Sequence, residues 1–552
     1  MLVDRRIGLL FLVFLLALTL AFGRALWFGT ASRDRLAQAA ATQQVSTDVV
    51  PAIRGAITDR HGVELAVSEP ASDISATPYL VKDPAKAAYK LAPILDKPAA
   101  DVQELLSKRD TGFQYLARQL PARRAEQIEK LHIAGITLTP TEKRDYPRGM
   151  LAAQLLGTVG TDGDGLSGVE YRQDKTLEGS PGKRRSTLDA LGETLRIKDL
   201  VPVRDGKSVK LTIDSAIQEK AEEVLAGVGR TYSPNAATAV VMDPQTSEVL
   251  AMANWPRVDA NEPGEAPAYA QQNRAVGYTY EPGSTFKAFT VAGALQDGKV
   301  TPDEEWDLPP QIQVADRTIG DAEERGPITL TTSGILAQSS NVGMIKIGQV
   351  QGATRFDHWI RAFGFGTPTG IDLPGEERGL VLKPKQYSGS SMGNLPIGQG
   401  VSITPIQLAS AYSAIANGGV LRQPKIVDSV DGVPTAEPAG KRVISPGIAR
   451  EVRKMLEGVV APGGTASEVA IPGYAIGGKT GTANKIDPAG GYSKTNYVAS
   501  FVGMAPIDKP KLLISVMVDE PKGGSIFGAQ VAAPAFGKIA AFALPYLKIA
   551  PK

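Results

Sequence analysis

Residues 7–23 (IGLLFLVFLLALTLAFG) are an uncharged apolar run, and Trp27 and Phe28 extend it beyond Arg24. A helix needs about 17–25 apolar residues to span a bilayer, so the run stands near the lower limit. Two readings compete. A cleaved signal peptide has an apolar core of about 7–15 residues and a small-residue cleavage site. This run is longer and no strong A-x-A site follows it, which favours an uncleaved anchor over residues 7–28 behind a cytoplasmic tail at 1–6. Arg5 and Arg6 favour a cytoplasmic N-terminus, whereas Arg24, Arg33 and Arg35 weaken that asymmetry. With the anchor retained, the remainder lies outside the cytoplasm in a single-pass protein.

Beyond the anchor, residues 29–48 are polar and alanine-rich and read as a stalk. In RGAITDRHGVELAVS (54–68), Ile57, Val63, Leu65 and Val67 alternate around an Asp-Arg-His-Gly turn, which predicts a β-hairpin. Helical spacing follows at 86–95, 101–106 and 122–131, the last after Pro121. Residues 144–160 predict an extended piece and a short helix ending near Gly157, and 178–208 exposed strands and loops. The strand 209–213 runs into a helix capped by Asp214, with Ile217, Ala221 and Leu225 on one face. Two hairpins are predicted at 237–254, around Asp-Pro-Gln-Thr-Ser, and at 497–521. Between them the patterns are mostly helical, as in ITPIQLASAYSAIANGG (403–419), which ends on a glycine pair. Strands at both ends of this region with helices between them predict an α+β domain, an antiparallel sheet flanked by helices.

Composition narrows the chemistry. With 552 residues, the chain is long enough for several domains. A net charge of +2 without a basic tract argues against a nucleic-acid partner. The absence of cysteine excludes thiol nucleophiles, disulfides and zinc ribbons. The three histidines, His61, His132 and His358, have no metal-binding spacing, so neither metal nor cofactor is expected.

Nucleophilic chemistry without histidine or cysteine points to YEPGSTFKAF (280–289). Ser284 is expected to open a buried helix, with Lys287 one turn on and on the same face. A lysine packed among Phe286 and Phe289 loses hydration, which lowers its pKa and lets it serve as a base. The bland alternative is a helix cap followed by a solvated charge, and S-x-x-K alone is a permissive motif. A second copy, Ser180-Pro-Gly-Lys183, sits in polar surroundings and is rejected. Two companions decide for 284: Ser339-Ser340-Asn341 at the start of an apolar helix, and Lys479-Thr480-Gly481-Thr482 in a strand-like segment. Ser233-Pro-Asn235 has no helix after it, and Gly389-Ser-Ser-Met-Gly393 lacks the strand that a G-x-S-x-G elbow requires.

With these motifs in place, the chain resembles a class B penicillin-binding protein, a monofunctional, membrane-anchored peptidoglycan D,D-transpeptidase. RGAITDRHGVELA is similar to the family's juxtamembrane motif, and YPRGMLAAQLLG and GLSGVEYRQDKTLEG to its pedestal motifs. YEPGSTFKAFT, SSNVGMIKIG, GQGVSITPIQLA and GGKTGTA are similar to its transpeptidase motifs. The resemblance implies an elongated β/α pedestal of the dimerisation type at 49–208 and a transpeptidase domain at 209–552. It implies Ser284 as nucleophile, Lys287 as base, Ser339 as proton relay, Asn341 holding Lys287 and the substrate backbone, and Lys479 supplying positive potential. Thr480, Gly481 and Thr482 would form the substrate-binding strand, with the two threonines on the terminal carboxylate. The oxyanion would lie against the N–H groups of Ser284 and Thr482. The implied partners are peptidoglycan stem peptides, β-lactams as covalent inhibitors, a multi-pass glycan polymerase of the shape, elongation, division and sporulation (SEDS) family, and other division membrane proteins.

The wording of the pedestal motifs and the short region between 284 and 339 favour the septal, cell-division type over the elongation type. A bifunctional class A arrangement, a β-lactamase and a β-lactam sensor fit less well. The first would need an N-terminal glycosyltransferase-length domain, the second a deacylating glutamate motif, the third several spans and an effector. A non-catalytic scaffold would show a degenerate triad of motifs. The short stretch through PYLKIAPK leads us to expect no appended C-terminal repeats.

Overall fold

The computed structural model describes residues 2–30, 45–188 and 194–551 and divides into two compact units. Most of the predicted stalk lies outside the described residues.

The first unit draws on residues 1–53, 70–142 and 179–206. Its helix Leu2–Gly29 contains a segment, Ile7–Phe28, long and apolar enough to cross a membrane. The helices Pro84–Leu95, Ala99–Ser107 and Ala122–Glu129 fall where the sequence periodicity puts them. Their apolar faces (Leu91, Leu95, Val102, Leu106, Ile128) share a core with Ile74, Leu116 and Leu120 of two antiparallel strands. Asp83 starts the first helix by accepting the Lys86 N–H at 3.0 Å. Val45–Val50, Gly182–Leu188 and Thr194–Val201 form a three-stranded antiparallel sheet.

The second unit holds 54–69, 143–178 and 207–552. Its centre is a five-stranded antiparallel sheet made from β1 (Ala236–Met242), β2 (Val249–Trp255), β3 (Gly477–Ile486), β4 (Tyr492–Ala505) and β5 (Leu512–Asp519). The spatial order is β2-β1-β5-β4-β3, so the two predicted hairpins meet at β1 and β5. Both faces are covered, and successive residues of β1 serve opposite sides. Ala237, Ala239 and Val241 face a core built by Ile217, Ala221 and Leu225 of α1 (Ser215–Tyr232) with Phe536 and Ile539 of the C-terminal helix Ala533–Tyr546. Val240 and Met242 face the larger core of α2 (Lys287–Gln296), α3 (Asn341–Gln351), α4 (Pro405–Ala416) and α5 (Pro446–Glu457). Asp214 caps α1 through the N–H groups of Ala216 and Ile217 at 3.1 and 3.2 Å. A reciprocal Thr404–Gln407 capping box with Pro405 in the first turn starts α4.

The hairpin at 54–68 forms, with Ile57 opposite Ala66, and Ile57–Thr58 also pairs in parallel with Val209–Leu211. A buried charge cluster ties together the segments that carry Arg54, Arg144 and Glu170. Glu170, with no exposure, takes Arg54 Nε at 2.8 Å and Arg144 Nε at 2.7 Å, while Arg54 Nη1 meets Asp174 at 2.8 Å. Removing one member of a buried ionic set leaves uncompensated charge, worth about 3–5 kcal/mol. Glu170→Ala is therefore expected to lower unfolding free energy by about that amount in urea denaturation.

Candidate active site

The nucleophile candidate stands on a tight turn before a helix rather than at a helix start. Gly283–Phe286 is a 3₁₀ turn, and α2 begins only at Lys287, whose N–H bonds to Ser284 O. The sequence expectation that Ser284 opens the helix is corrected on this point. Gly283 adopts φ +53°, a left-handed conformation that turns the chain sharply before Ser284. The turn is clamped from several sides. Gly283 N–H donates to Gly398 O at 3.1 Å, and Tyr412 OH donates to Thr285 O at 2.6 Å. Phe286 and Phe289 pack with Phe365, and Phe289 also meets Phe363 and Tyr412, rooting the turn in an aromatic core.

Gly398 has φ +79°, and a Cβ there would stand 2.1 Å from Gly283 O. Gly398→Ala is thus expected to displace the Ser284 turn and cut acylation by about a hundredfold, read as the rate of labelling by a fluorescent penicillin.

Lys287 is completely buried, and its Nζ donates to Ser339 O at 2.6 Å, Ser339 Oγ at 3.2 Å and Asn341 Oδ1 at 2.7 Å. Ser284, partly exposed one turn earlier, is not among these partners. Bonds between nucleophile and base commonly tighten only when substrate arrives. Burial pushes the Lys287 amine down to about 7, against an opposing pull from the Asp321 carboxylate. Ser339 presents its oxygens from a left-handed conformation, φ +59°, sparsely populated by serine and costing about 1–3 kcal/mol. Ser340 caps α3 by accepting the Gly343 N–H at 3.1 Å.

The third segment is β3. Gly481 lets it run against the nucleophile turn: a Cβ at Gly481 would lie 2.9 Å from Pro282 O and 2.4 Å from Ser500 Oγ. A Cβ at Gly283 would in turn lie 3.2 Å from Thr482 O. Lys479 is fully buried with Nζ 3.2 Å from Thr480 O and 3.3 Å from Thr480 Oγ1. Burial, and then the charge of Lys287, hold its pKa well below the ordinary lysine value. Thr480 Oγ1 meets Thr465 Oγ1 at 2.9 Å, and Thr482 Oγ1 accepts the Gly528 N–H at 3.1 Å.

The structure therefore places Ser284, Lys287, Ser339, Asn341, Lys479, Thr480, Gly481 and Thr482 around one centre. Of the other candidate sequences, Lys183 is on an exposed strand of the first unit, Asn235 leads into β1, and Gly389–Gly393 runs from a turn into the short helix Ser391–Asn394. Sequence reasoning missed Asp321 and Glu281. Glu281 Oε1 accepts the Gly400 N–H at 3.0 Å and Tyr492 OH at 3.3 Å, joining the start of the nucleophile turn to β4.

Comparison with known proteins identifies the family. The penicillin-binding protein transpeptidase domain matches residues 237–541, and the penicillin-binding protein dimerisation domain matches residues 49–211. The chain belongs to the class B penicillin-binding proteins. The peptidoglycan D,D-transpeptidase FtsI of Escherichia coli (strain K12) is 34% identical over 555 residues, covering 100% of this chain and 93% of that protein. Stage V sporulation protein D of Bacillus subtilis (strain 168) is 36% identical over 513 residues, 90% of this chain and 79% of the relative. Among solved structures, penicillin-binding protein 3 from Mycobacterium tuberculosis complexed with aztreonam superposes with a TM-score of 0.72 at 31% identity, covering 92% of this chain and 98% of the other. In this penicillin-binding protein the α+β expectation holds: the antiparallel sheet is flanked by helices, and an apolar helix stands near the N-terminus.

Proposed function

We propose that this class B penicillin-binding protein, a peptidoglycan D,D-transpeptidase, cross-links stem peptides through a Ser284 acyl-enzyme in septal wall synthesis. The observation that carries the reading is a desolvated Lys287, one turn after Ser284 and bonded to Ser339 and Asn341, in the same site as Lys479.

Ser284 Oγ attacks the carbonyl of the penultimate D-Ala while neutral Lys287 Nζ takes its proton. The oxyanion lies against the Ser284 and Thr482 N–H groups; a preorganised donor of this kind is worth about 3–4 kcal/mol. Collapse breaks the C–N bond, Ser339 relays a proton to the leaving amine, and the terminal D-Ala departs. An amine of a neighbouring stem peptide then attacks the ester, gives up a proton to the site, and restores the Ser284 hydroxyl. Asn341 holds Lys287 and the substrate backbone. Thr480 and Thr482 bind the terminal carboxylate, whose charge favours the protonated form of Lys479. β-Lactams acylate the same serine, their leaving nitrogen remaining tethered.

The sign of the pH dependence follows from the base. Lys287 works as an acceptor only when neutral, so acylation is half-maximal near about 7, approaches its full value above it and is lost as pH falls below it. Penicillin labelling rates between pH 5 and 9 are expected to rise and level off, with the midpoint near 7.

The helix over Ile7–Phe28 supports a membrane anchor, and Arg5 and Arg6 ahead of it favour an N-terminus inside, which would put the catalytic unit outside. The septal assignment is supported by the wording of the pedestal motifs and the short region between 284 and 339, and the peptidoglycan D,D-transpeptidase FtsI is similar over the whole of this chain. In that setting a SEDS-family polymerase and other division membrane proteins contact the anchor and pedestal. Release of D-Ala with formation of a cross-linked dimer from purified pentapeptide donor and acceptor tests the activity. Mid-cell recruitment of a fluorescent fusion tests the septal role, and lateral-wall recruitment would favour the elongation type.

A further inference from the structure

Asp321 follows the hairpin formed by Gln311–Val314 and Arg317–Gly320. Its Oδ1 accepts the backbone N–H of Asn341, and that of Val342 at 3.0 Å. Ser340 Oγ lies 3.1 and 3.0 Å from the two carboxylate oxygens. Arg325 donates its Nε–H to Oδ2 at 2.7 Å, and its Nη2 stands 2.6 Å from the same oxygen as an ion pair without hydrogen-bond geometry. One residue earlier, Gly320 O accepts Asn341 Nδ2 at 3.0 Å, which turns the Asn341 Oδ1 toward Lys287. The carboxylate side chain is only 12% exposed, so its field is little screened by water.

We propose that Asp321 is a positioning residue of the transpeptidase site: it locks the Ser340–Asn341–Val342 turn onto Lys287, and its charge, moderated by Arg325, governs how readily Lys287 accepts the serine proton. This rests on the Ser284–Lys287 reading above. The charged groups bearing on Lys287 are Asp321 with its partner Arg325 and, from β3, Lys479. A negative neighbour favours the ammonium, whereas a positive one disfavours it. The two substitutions that alter this pair therefore act in opposite directions. Asp321→Asn keeps an oxygen acceptor but removes the charge, and Arg325→Gln leaves the carboxylate charge uncompensated.

The test uses the full-length protein in detergent and a fluorescent penicillin, with second-order labelling constants taken from pH 5.5 to 9. Asp321→Asn is expected to move the acid limb to lower pH and to reduce the plateau by about ten- to a hundredfold, because the α3 entry loses its clamp. Arg325→Gln is expected to move the limb to higher pH, and it carries the test if the Asn variant does not fold. Limbs that coincide with wild type in the folded variants, whatever their plateaus, would overturn the proposal and leave Asp321 a structural cap. Labelling that persists in Ser284→Ala, or a wild-type rate with no acid limb, would instead overturn the reading beneath it.

Discussion

Ser284→Ala is expected to abolish covalent labelling by penicillin and release of D-Ala, a loss of the order of 10⁶ in rate when a nucleophile is removed from its catalytic unit. No neighbouring group can replace it on the same path. Ser339 is committed to Lys287 through both its carbonyl and its hydroxyl. The Thr482 hydroxyl is occupied by the Gly528 N–H. Ser284 is partly exposed and the turn is held by Gly283, Thr285 and Tyr412, so the variant should fold as the parent does, within about 0.5 kcal/mol. An inactive variant with an unchanged unfolding midpoint would separate chemistry from stability.

Lys287→Met carries the second-largest effect. Methionine fills the same buried volume and cannot accept a proton, so acylation is expected to fall about 10²–10⁴-fold, the range of general-base contributions. The acid limb near 7 should vanish with it, because the group that titrates there is gone. Lys287→Arg should not rescue activity: guanidinium stays protonated at any working pH, and its planar fork does not suit the contacts now made to Ser339 and Asn341. Rate constants from stopped-flow labelling at several pH values read both effects together.

The fold was legible where short-range physics decides it. Paired apolar runs around turn residues located the hairpins that become β1–β2 and β4–β5, and the Asp214 cap marks the start of α1. The three catalytic segments were legible because each couples a reactive residue type to a distinctive local frame. Less legible was the geometry around Ser284. Helical spacing across 284–296 could not reveal that Gly283 turns left-handed and that a 3₁₀ turn precedes α2. Asp321 was invisible for a different reason. It stands in DAEERG, a polar loop with no periodicity just after a short strand, and acquires its role only when a long-range fold brings it onto the start of α3. The Arg54–Glu170–Arg144 cluster is of the same kind, since its members are scattered through three separate segments.

Peptide mapping of the penicillin adduct by mass spectrometry tests the central claim most directly. The account predicts a single penicilloyl group, on the peptide that contains Ser284. A group carried instead by Ser339, or by Ser390 or Ser391 of the Gly389–Gly393 turn, would contradict it.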